Sequence, residues 1–173
     1  MKFKAVTLAA LACLALPGTA QANFKYSTWG MSVDQVLAAA PRSVHRIADV
    51  EKDRVDDLQR LAVGEITEGD TRFEIQFYFA PGSKGLQLVR YEPVQKMTCT
   101  DEGAVIRGML GKGRETDSVE STDVGEGKKV DITYHFAVWT GSQGDKVQFM
   151  ETFAFGQSLD VCTFTFEPPG GRS

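Results

Sequence analysis

Hydrophobic and polar residues alternate with a period of two along much of this chain. The clearest stretch runs from Phe73 to Phe79, where Phe and Ile at odd positions alternate with other side chains. This alternation predicts strands that bury one face. The same period recurs over residues 61–68, 86–91, 130–139, 147–155 and 161–166. Because short turns separate neighbouring strands, the sequence predicts two antiparallel groups of three strands.

Two segments have helical spacing instead. Ser32 and Gln35 form a capping box at the start of a short helix, which Pro41 ends. A second helix is predicted over residues 100–111, capped by Thr98 or Thr100. Residues 42–57 mix both signs of charge, and they fit a short helix or a solvated loop equally well. The polar, glycine-rich residues 115–129 predict an exposed loop.

This order of elements predicts the fold class. Strands with one apolar face need a cover, and the two helices can supply it. We therefore expect an α+β fold, a two-layer sandwich of tandem α-βββ halves with the helices packed on one face of an antiparallel sheet. A single domain is expected over residues 23–167, with halves at 23–97 and 98–167, and residues 168–173 are expected to form a flexible tail.

Residues 1–22 have the features of a secretory signal peptide. Two lysines precede an apolar run from Ala5 to Leu16, and Ala20-Gln21-Ala22 offers a cleavage site. The apolar run is shorter than the roughly 20 residues that a membrane-spanning helix needs. We therefore expect a periplasmic or secreted protein that is cleaved after Ala22 and has no membrane span.

Cleavage changes the charge and length of the working protein. The whole chain has 173 residues, 42% of them hydrophobic, and a formal net charge of −4. Without residues 1–22 it has 151 residues and, with two lysines fewer, a net charge of −6. An acidic chain argues against nucleic acid as a partner, because phosphate binding needs a basic surface.

The number of cysteines available for a disulfide also depends on whether the signal peptide is removed. Cys13 lies inside it, and a lipoprotein anchored at Cys13 is the alternative to cleavage after Ala22. The remaining pair, Cys99 and Cys162, predicts one disulfide, since exported proteins favour such bonds. Two buried free thiols are the alternative. A bond would join the second helix to the last strand.

The segment that opens the first helix resembles a start found in two protein families. Gly30-Met31-Ser32-x-x-x-Val36 is similar to the helix entry of the outer-membrane-assembly lipoproteins of the SmpA/BamE type. It also resembles the secreted β-lactamase inhibitor proteins. Both resemblances imply a helix packed on an antiparallel sheet. The inhibitor family consists of two tandem helix-plus-sheet repeats, which matches the two predicted halves.

Motifs for metal binding or nucleophilic catalysis are missing from the sequence. It has two histidines and no Cys-x-x-Cys pair, and the acidic run Asp49-x-Glu51-x-Asp53 lacks the glycine and the final glutamate of a calcium loop. There is no Gly-x-Ser-x-Gly elbow around a serine nucleophile. We interpret Glu74 and Asp131 as cross-strand charge partners. The sequence therefore predicts no catalytic residues, no metal and no cofactor.

The uncovered face of the predicted sheet is the best candidate surface. Aromatic residues, Arg and Met are enriched at protein interfaces. The residues of these types expected on that face are Arg72, Tyr78, Tyr91, Trp139 and Met150, with His135 beside them. The sequence favours a non-enzymatic protein-binding module, either an inhibitor or an envelope assembly factor. The alternatives are a small hydrolase or ligand carrier of the cell envelope, or a structural envelope protein.

Overall fold

The computed structural model describes residues 25–48, 54–82, 85–141 and 144–171. The predicted signal peptide, Cys13 and the acidic run around Glu51 lie outside these residues.

Two helices and nine strands follow one another along the described parts of the chain. Helix α1 spans Val33–Ala39 and helix α2 spans Cys99–Leu110. Between them lie β1 (His45–Arg46), β2 (Arg54–Val55), β3 (Leu58–Glu68), β4 (Thr71–Ala80) and β5 (Gly85–Pro93). After α2 come β6 (Arg114–Asp123), β7 (Lys129–Thr140), β8 (Lys146–Ala154) and β9 (Gln157–Glu167).

The strands form one sheet with the order β1-β3-β4-β5-β9-β8-β7-β6, and β2 also pairs with β3. Consecutive strands pair antiparallel from β3 to β5 and again from β6 to β9. The two groups join where residues 89–91 of β5 pair with residues 164–166 of β9. The predicted antiparallel meanders are confirmed, and β6 extends the second group to four strands.

The predicted fold class is wrong. Strands make up 56% of the described residues and helices 14%, so the molecule is an open nine-stranded antiparallel sheet and not an α+β two-layer sandwich. The physical reason is the length of the helices. With 7 and 12 residues, they are about 10 and 18 Å long, whereas the eight-strand path is about 34 Å wide. The tandem α-βββ order is also absent, because five strands follow α1 and four follow α2.

One face of the sheet carries the main hydrophobic core. Phe73 and Phe77 of β4 and Phe149 of β8 are at most 1% exposed there. Val36 of α1 and Ile106 of α2 reach the same core and are fully buried. We call this side the helix face and the opposite side the open face.

Both helices begin where the sequence predicts. The Ser32 side chain accepts the Gln35 N–H at 3.3 Å, and the Gln35 side chain accepts the Ser32 N–H at 2.8 Å. This reciprocal pair is the predicted capping box. Thr98 caps α2, since its hydroxyl accepts the Asp101 N–H at 3.2 Å. The described residues of the segment 42–57, which fitted a helix or a loop, contain β1 and β2.

A second, smaller core lies on the open face. Tyr78 and Leu88 pack there with Leu58 and Ala80, and Val55 of β2 packs against them. The short strand β2 therefore covers this end of the open face. The part of the open face formed by β6, β7 and β8 has no such cover among the described residues.

Cys99 and Cys162 lie at disulfide distance, with their Cα atoms 5.7 Å apart. The pairing is the one that the sequence predicts, and it fastens the start of α2 to β9. A disulfide is typical of exported proteins. Within the described residues, neither helix is long and apolar enough to cross a membrane.

Candidate functional site

The six residues predicted to form a binding surface lie on two different faces. Strand register and core membership place Arg72, Tyr78 and Met150 on the open face, and Tyr91, His135 and Trp139 on the helix face. The expectation that all six share the uncovered face is therefore not met. The structure brings together only subsets of them.

On the open face, the three predicted residues differ in their access to a partner. Tyr78 is fully buried, and its hydroxyl donates to the Gln76 side chain at 2.9 Å. Arg72 is exposed, with its guanidinium 3.7 Å from the Glu65 carboxylate. Met150 is partly exposed and lies opposite Phe136 of β7. Of the three, Met150 is the one beside uncovered aromatic side chains.

On the helix face, Tyr91 and Trp139 belong to the packing of the core. Tyr91 is 2% exposed, and burial raises the pKa of its hydroxyl. The indole N–H of Trp139 donates to the Gly111 carbonyl at 3.1 Å. The ring lies so close to Gly113 that a Cβ added there would be 2.8 Å from it. Both aromatic residues therefore hold the fold together.

His135 fastens β6 to β7. Its Nε2 lies 2.8 Å from the Glu115 carboxylate and its Nδ1 lies 2.6 Å from Asp117. His135 thus links two acids of β6 to the neighbouring strand.

Strand β6 is the most exposed regular element of the described chain. All ten of its residues are exposed, and it pairs with β7 at one side while its other side ends the sheet. Its register with β7 is continuous from Arg114 to Asp123, without a bulge. In an antiparallel edge strand every second residue turns its N–H and C=O outward, which gives about five residues with outward backbone groups.

The opposite edge of the sheet is protected in a different way. There β1 and β2, each two residues long, pair with four of the eleven residues of β3 and leave residues 64–68 without a strand on that side. Proteins commonly shield edge strands with charged side chains, especially lysine, with proline or bulges, or by short length. Strand β6 has no proline, no lysine and no bulge. With ten residues, it is the longest strand edge left unpaired in the described part of the sheet.

Strand β6 is also acidic. It carries four carboxylates, from Glu115, Asp117, Glu120 and Asp123, and one guanidinium, from Arg114, which gives a net charge of −3 over ten residues. The acids divide between the two faces, with Glu120 on the open face and the other three on the helix face. Strong negative charge therefore borders the unpaired backbone.

Beside this edge, the open face has a shallow groove of about 360 Å³. Partly exposed Phe136 and Val138 of β7 line it, together with Thr116 of β6 and Gln148 of β8. Tyr134 continues the same row of β7, with its ring centroid 6.5 Å from that of Phe136. Aromatic residues next to an open edge offer apolar contact area to side chains of an added strand.

A separate cleft of about 300 Å³ opens where β5 and β9 diverge beyond their three paired positions. Glu102 of α2 lines it and is 4% exposed, and burial raises the pKa of its carboxyl group to about 7. Arg90 lowers this pKa and Glu92 raises it, to smaller extents. Lys96 and Cys162 also line the cleft. A buried acid with a raised pKa in a cleft marks a candidate site.

Two features were missed from the sequence. Strand β6 has no alternating pattern because neither of its faces is buried, although Thr116, Val119 and Thr122 are residues that favour strands. In the sequence, Glu102 is indistinguishable from an ordinary acidic residue in the first turn of a helix, and only the fold shows that it is buried. Within the described chain there is no group of three or more residues suited to hold a metal ion.

Comparison of the chain with protein-family profiles, with curated proteins and with solved structures finds no match.

Proposed function

We propose that this chain is an exported, non-enzymatic protein-binding module that captures an extended segment of a partner along β6. The observation that carries the proposal is the ten-residue edge strand, fully exposed and unshielded by proline, lysine or bulge. Such edges accept an added strand from another chain, with main-chain hydrogen bonds supplying affinity.

The charge of β6 supports a basic partner segment. A second copy of this chain would bring one net charge of −3 against another, and like charges on paired strands destabilise the pairing. A segment with Lys or Arg at alternate positions would instead face Glu115 and Asp117 on one side of the sheet. Its other side chains would lie against Phe136 in the groove.

The proposal keeps the protein-binding class expected from the sequence and changes the residues that carry it. Tyr78 is a core residue and Trp139 packs against the core, so replacing either would perturb folding as well as any binding. Thr116, Glu120, Tyr134 and Phe136 are the side chains that an added strand would meet on the open face.

The test uses a synthetic ten-residue peptide in which Lys alternates with Thr and Val, and fluorescence anisotropy measures its binding to the mature protein. We expect saturable binding that weakens with added salt. The same peptide with Glu in place of Lys should bind far more weakly. A version of the Lys peptide that is N-methylated at alternate amides should also bind weakly, because it cannot donate the main-chain hydrogen bonds that pair it with β6. Equal binding of the N-methylated peptide would refute strand addition.

Variants of the protein locate the surface. Asp117→Lys and Asp123→Lys, both on the helix face of β6, should each weaken binding about three- to fivefold, the range expected for an exposed charge pair. Asp70→Lys is the control, because it makes the same charge change in the exposed β3–β4 turn, several strands away from β6 in the sheet. It should leave the affinity for the peptide unaltered. Equal losses in all three variants would mean that only net charge matters.

Self-association is the competing outcome. If sedimentation velocity shows a dimer that Asp117→Lys alters, the occupant of β6 is a second copy and the basic segment is excluded as the natural partner.

A further inference from the structure

Of the two disulfide cysteines, Cys162 alone lines the cleft between β5 and β9. Cys162 is partly exposed and lines the cleft, whereas Cys99 is 1% exposed and lies behind it. The carboxylate oxygen Oε2 of Glu102 lies 3.3 Å from the Sγ atom of Cys162. One sulfur of the disulfide is therefore accessible from solvent and in contact with a buried acid.

The other sulfur is placed where it can leave as a thiolate. Cys99 is the first residue of α2, a helix of 12 residues with Thr98 as its cap. The positive end of the helix therefore lies at this sulfur, where it stabilises a thiolate that leaves from Cys99.

The cleft walls carry groups that attract an anion. Arg90 and Lys96 both line it, and the Nε atom of Arg90 is buried with no hydrogen-bond partner within the described residues. Small biological thiols such as glutathione react as thiolates and carry carboxylates. The two basic side chains offer partners to these carboxylates, next to the acids Glu92 and Asp160 that line the same cleft.

We propose that the Cys99–Cys162 disulfide is an exchange site for small thiols, with Cys162 as the attacked sulfur and Glu102 as its acid. This inference is independent of strand capture at β6. A thiolate attacks Sγ of Cys162 and forms a mixed disulfide, while the electron pair of the broken S–S bond leaves on Sγ of Cys99.

A second thiolate completes the exchange. It attacks the small-molecule sulfur of the mixed disulfide, which releases a small-molecule disulfide and the Cys162 thiolate. The Cys162 thiolate takes the proton of the Glu102 carboxyl group, and water restores that proton. Two small thiols are thereby oxidised by two electrons in total, and the protein disulfide is reduced. The reverse sequence oxidises the protein.

The charge of Glu102 sets the pH dependence. Below the pKa of about 7 the carboxyl group is neutral and can give a proton. Above it, the carboxylate beside Cys162 repels an incoming thiolate. Arg90 and Glu92 from β5, Lys96 from the following loop and Asp160 from β9 also line the cleft.

The experiment reacts the oxidised, folded protein with millimolar glutathione between pH 6 and pH 8, and acid quenching stops the reaction. After alkylation, peptide mass spectrometry should find glutathione on Cys162 and the alkyl group on Cys99. The rate constant per thiolate should fall about three- to fourfold from pH 6 to pH 8, because Glu102 passes from mostly neutral to mostly charged and repulsion between two unit charges ~4 Å apart in water slows the reaction about fivefold at full ionisation.

Two variants separate the exchange site from a purely structural disulfide. Glu102→Gln should flatten the pH profile while the disulfide still forms, and Glu92→Gln should move the midpoint of the profile to lower pH. The proposal is overturned if glutathione is found on Cys99, or if the rate does not depend on glutathione concentration, because unfolding then limits the reaction. An unchanged pH profile in Glu102→Gln would remove the role of the acid.

Discussion

Glu102→Gln should make the stability of the protein less dependent on pH. Burial raises the pKa of the Glu102 carboxyl group from 4.5 to about 7 in the folded state. Between these two values the folded protein holds a proton that the unfolded chain has released. The stability that comes from neutral Glu102 is therefore fully present below pH 4.5 and is lost as the pH rises towards 7.

The size of the effect follows from the shift. Each pKa unit corresponds to 1.36 kcal/mol, so the difference between 4.5 and about 7 corresponds to at most about 3 kcal/mol at pH 8. Gln has nearly the shape of the neutral acid and carries no charge. We expect the free energy of unfolding of Glu102→Gln to match the wild type near pH 4.5 and to exceed it by up to about 3 kcal/mol at pH 8.

Urea denaturation followed by tryptophan fluorescence, at several pH values from 4.5 to 8, measures this difference. All other titrating groups are common to both proteins, so subtracting the two stability curves isolates Glu102. Asp101→Asn, an exposed acid one residue away on α2, is the matched control and should not reproduce the gain of up to about 3 kcal/mol at pH 8. If the difference in unfolding free energy between the wild type and Glu102→Gln is the same at every pH, the argument is refuted.

Further predictions concern stability. Cys99→Ser with Cys162→Ser removes a link across 63 residues and should lower the free energy of unfolding by about 4 kcal/mol in the chain-entropy account, which urea denaturation would measure; a loss below about 1 kcal/mol would contradict it. Gly108→Ala, where an added Cβ meets nothing within 4 Å, should raise the melting temperature, since Ala is favoured over Gly in a helix by about 1 kcal/mol. Gly103→Ala on the same helix should lower it, because the Cβ would lie 3.0 Å from the Phe149 ring; equal shifts in the two variants would show that packing at Gly103 is loose. Phe149→Ala should cost about 3–5 kcal/mol in urea denaturation, and a cost near zero would place Phe149 outside the core.

Local signals along the chain predict the elements that bury one face. The capping box at Ser32 and the alternation from Phe73 to Phe79 both depend on neighbours within a few residues, and both are found in the structure. The pairing of Cys99 with Cys162 follows from counting the cysteines outside the predicted signal peptide. These features need no knowledge of long-range contacts.

Features that depend on long-range contacts were predicted poorly. Strand β7 has apolar side chains on both faces, with Ala137 on one and Phe136 on the other, so its pattern does not tell which face α2 covers. The prediction chose the wrong face for Trp139 and His135. The ring of Trp139 packs closely against Gly113, which follows α2, and this contact fixes the face on which Trp139 lies. The glycine at position 113 indicates such a contact only once the packing is known.

The fold class was wrong for a related reason. Strand β6 buries neither face, so no alternation identifies it, and the sheet is one full-length strand wider than the sequence indicates. The binding surface that we propose is also this strand. An element that contributes little to the core leaves a weak pattern in the sequence, and it is free to contact a partner.

The central claim is that an extended basic segment adds to the sheet at β6. Amide hydrogen exchange, followed by nuclear magnetic resonance with and without the Lys-Thr-Val peptide, tests this claim most directly. The account predicts that the amides of Arg114–Asp123 that turn away from β7 become protected when the peptide binds, at every second residue. Protection elsewhere in the sheet, or binding without new protection in β6, would contradict it.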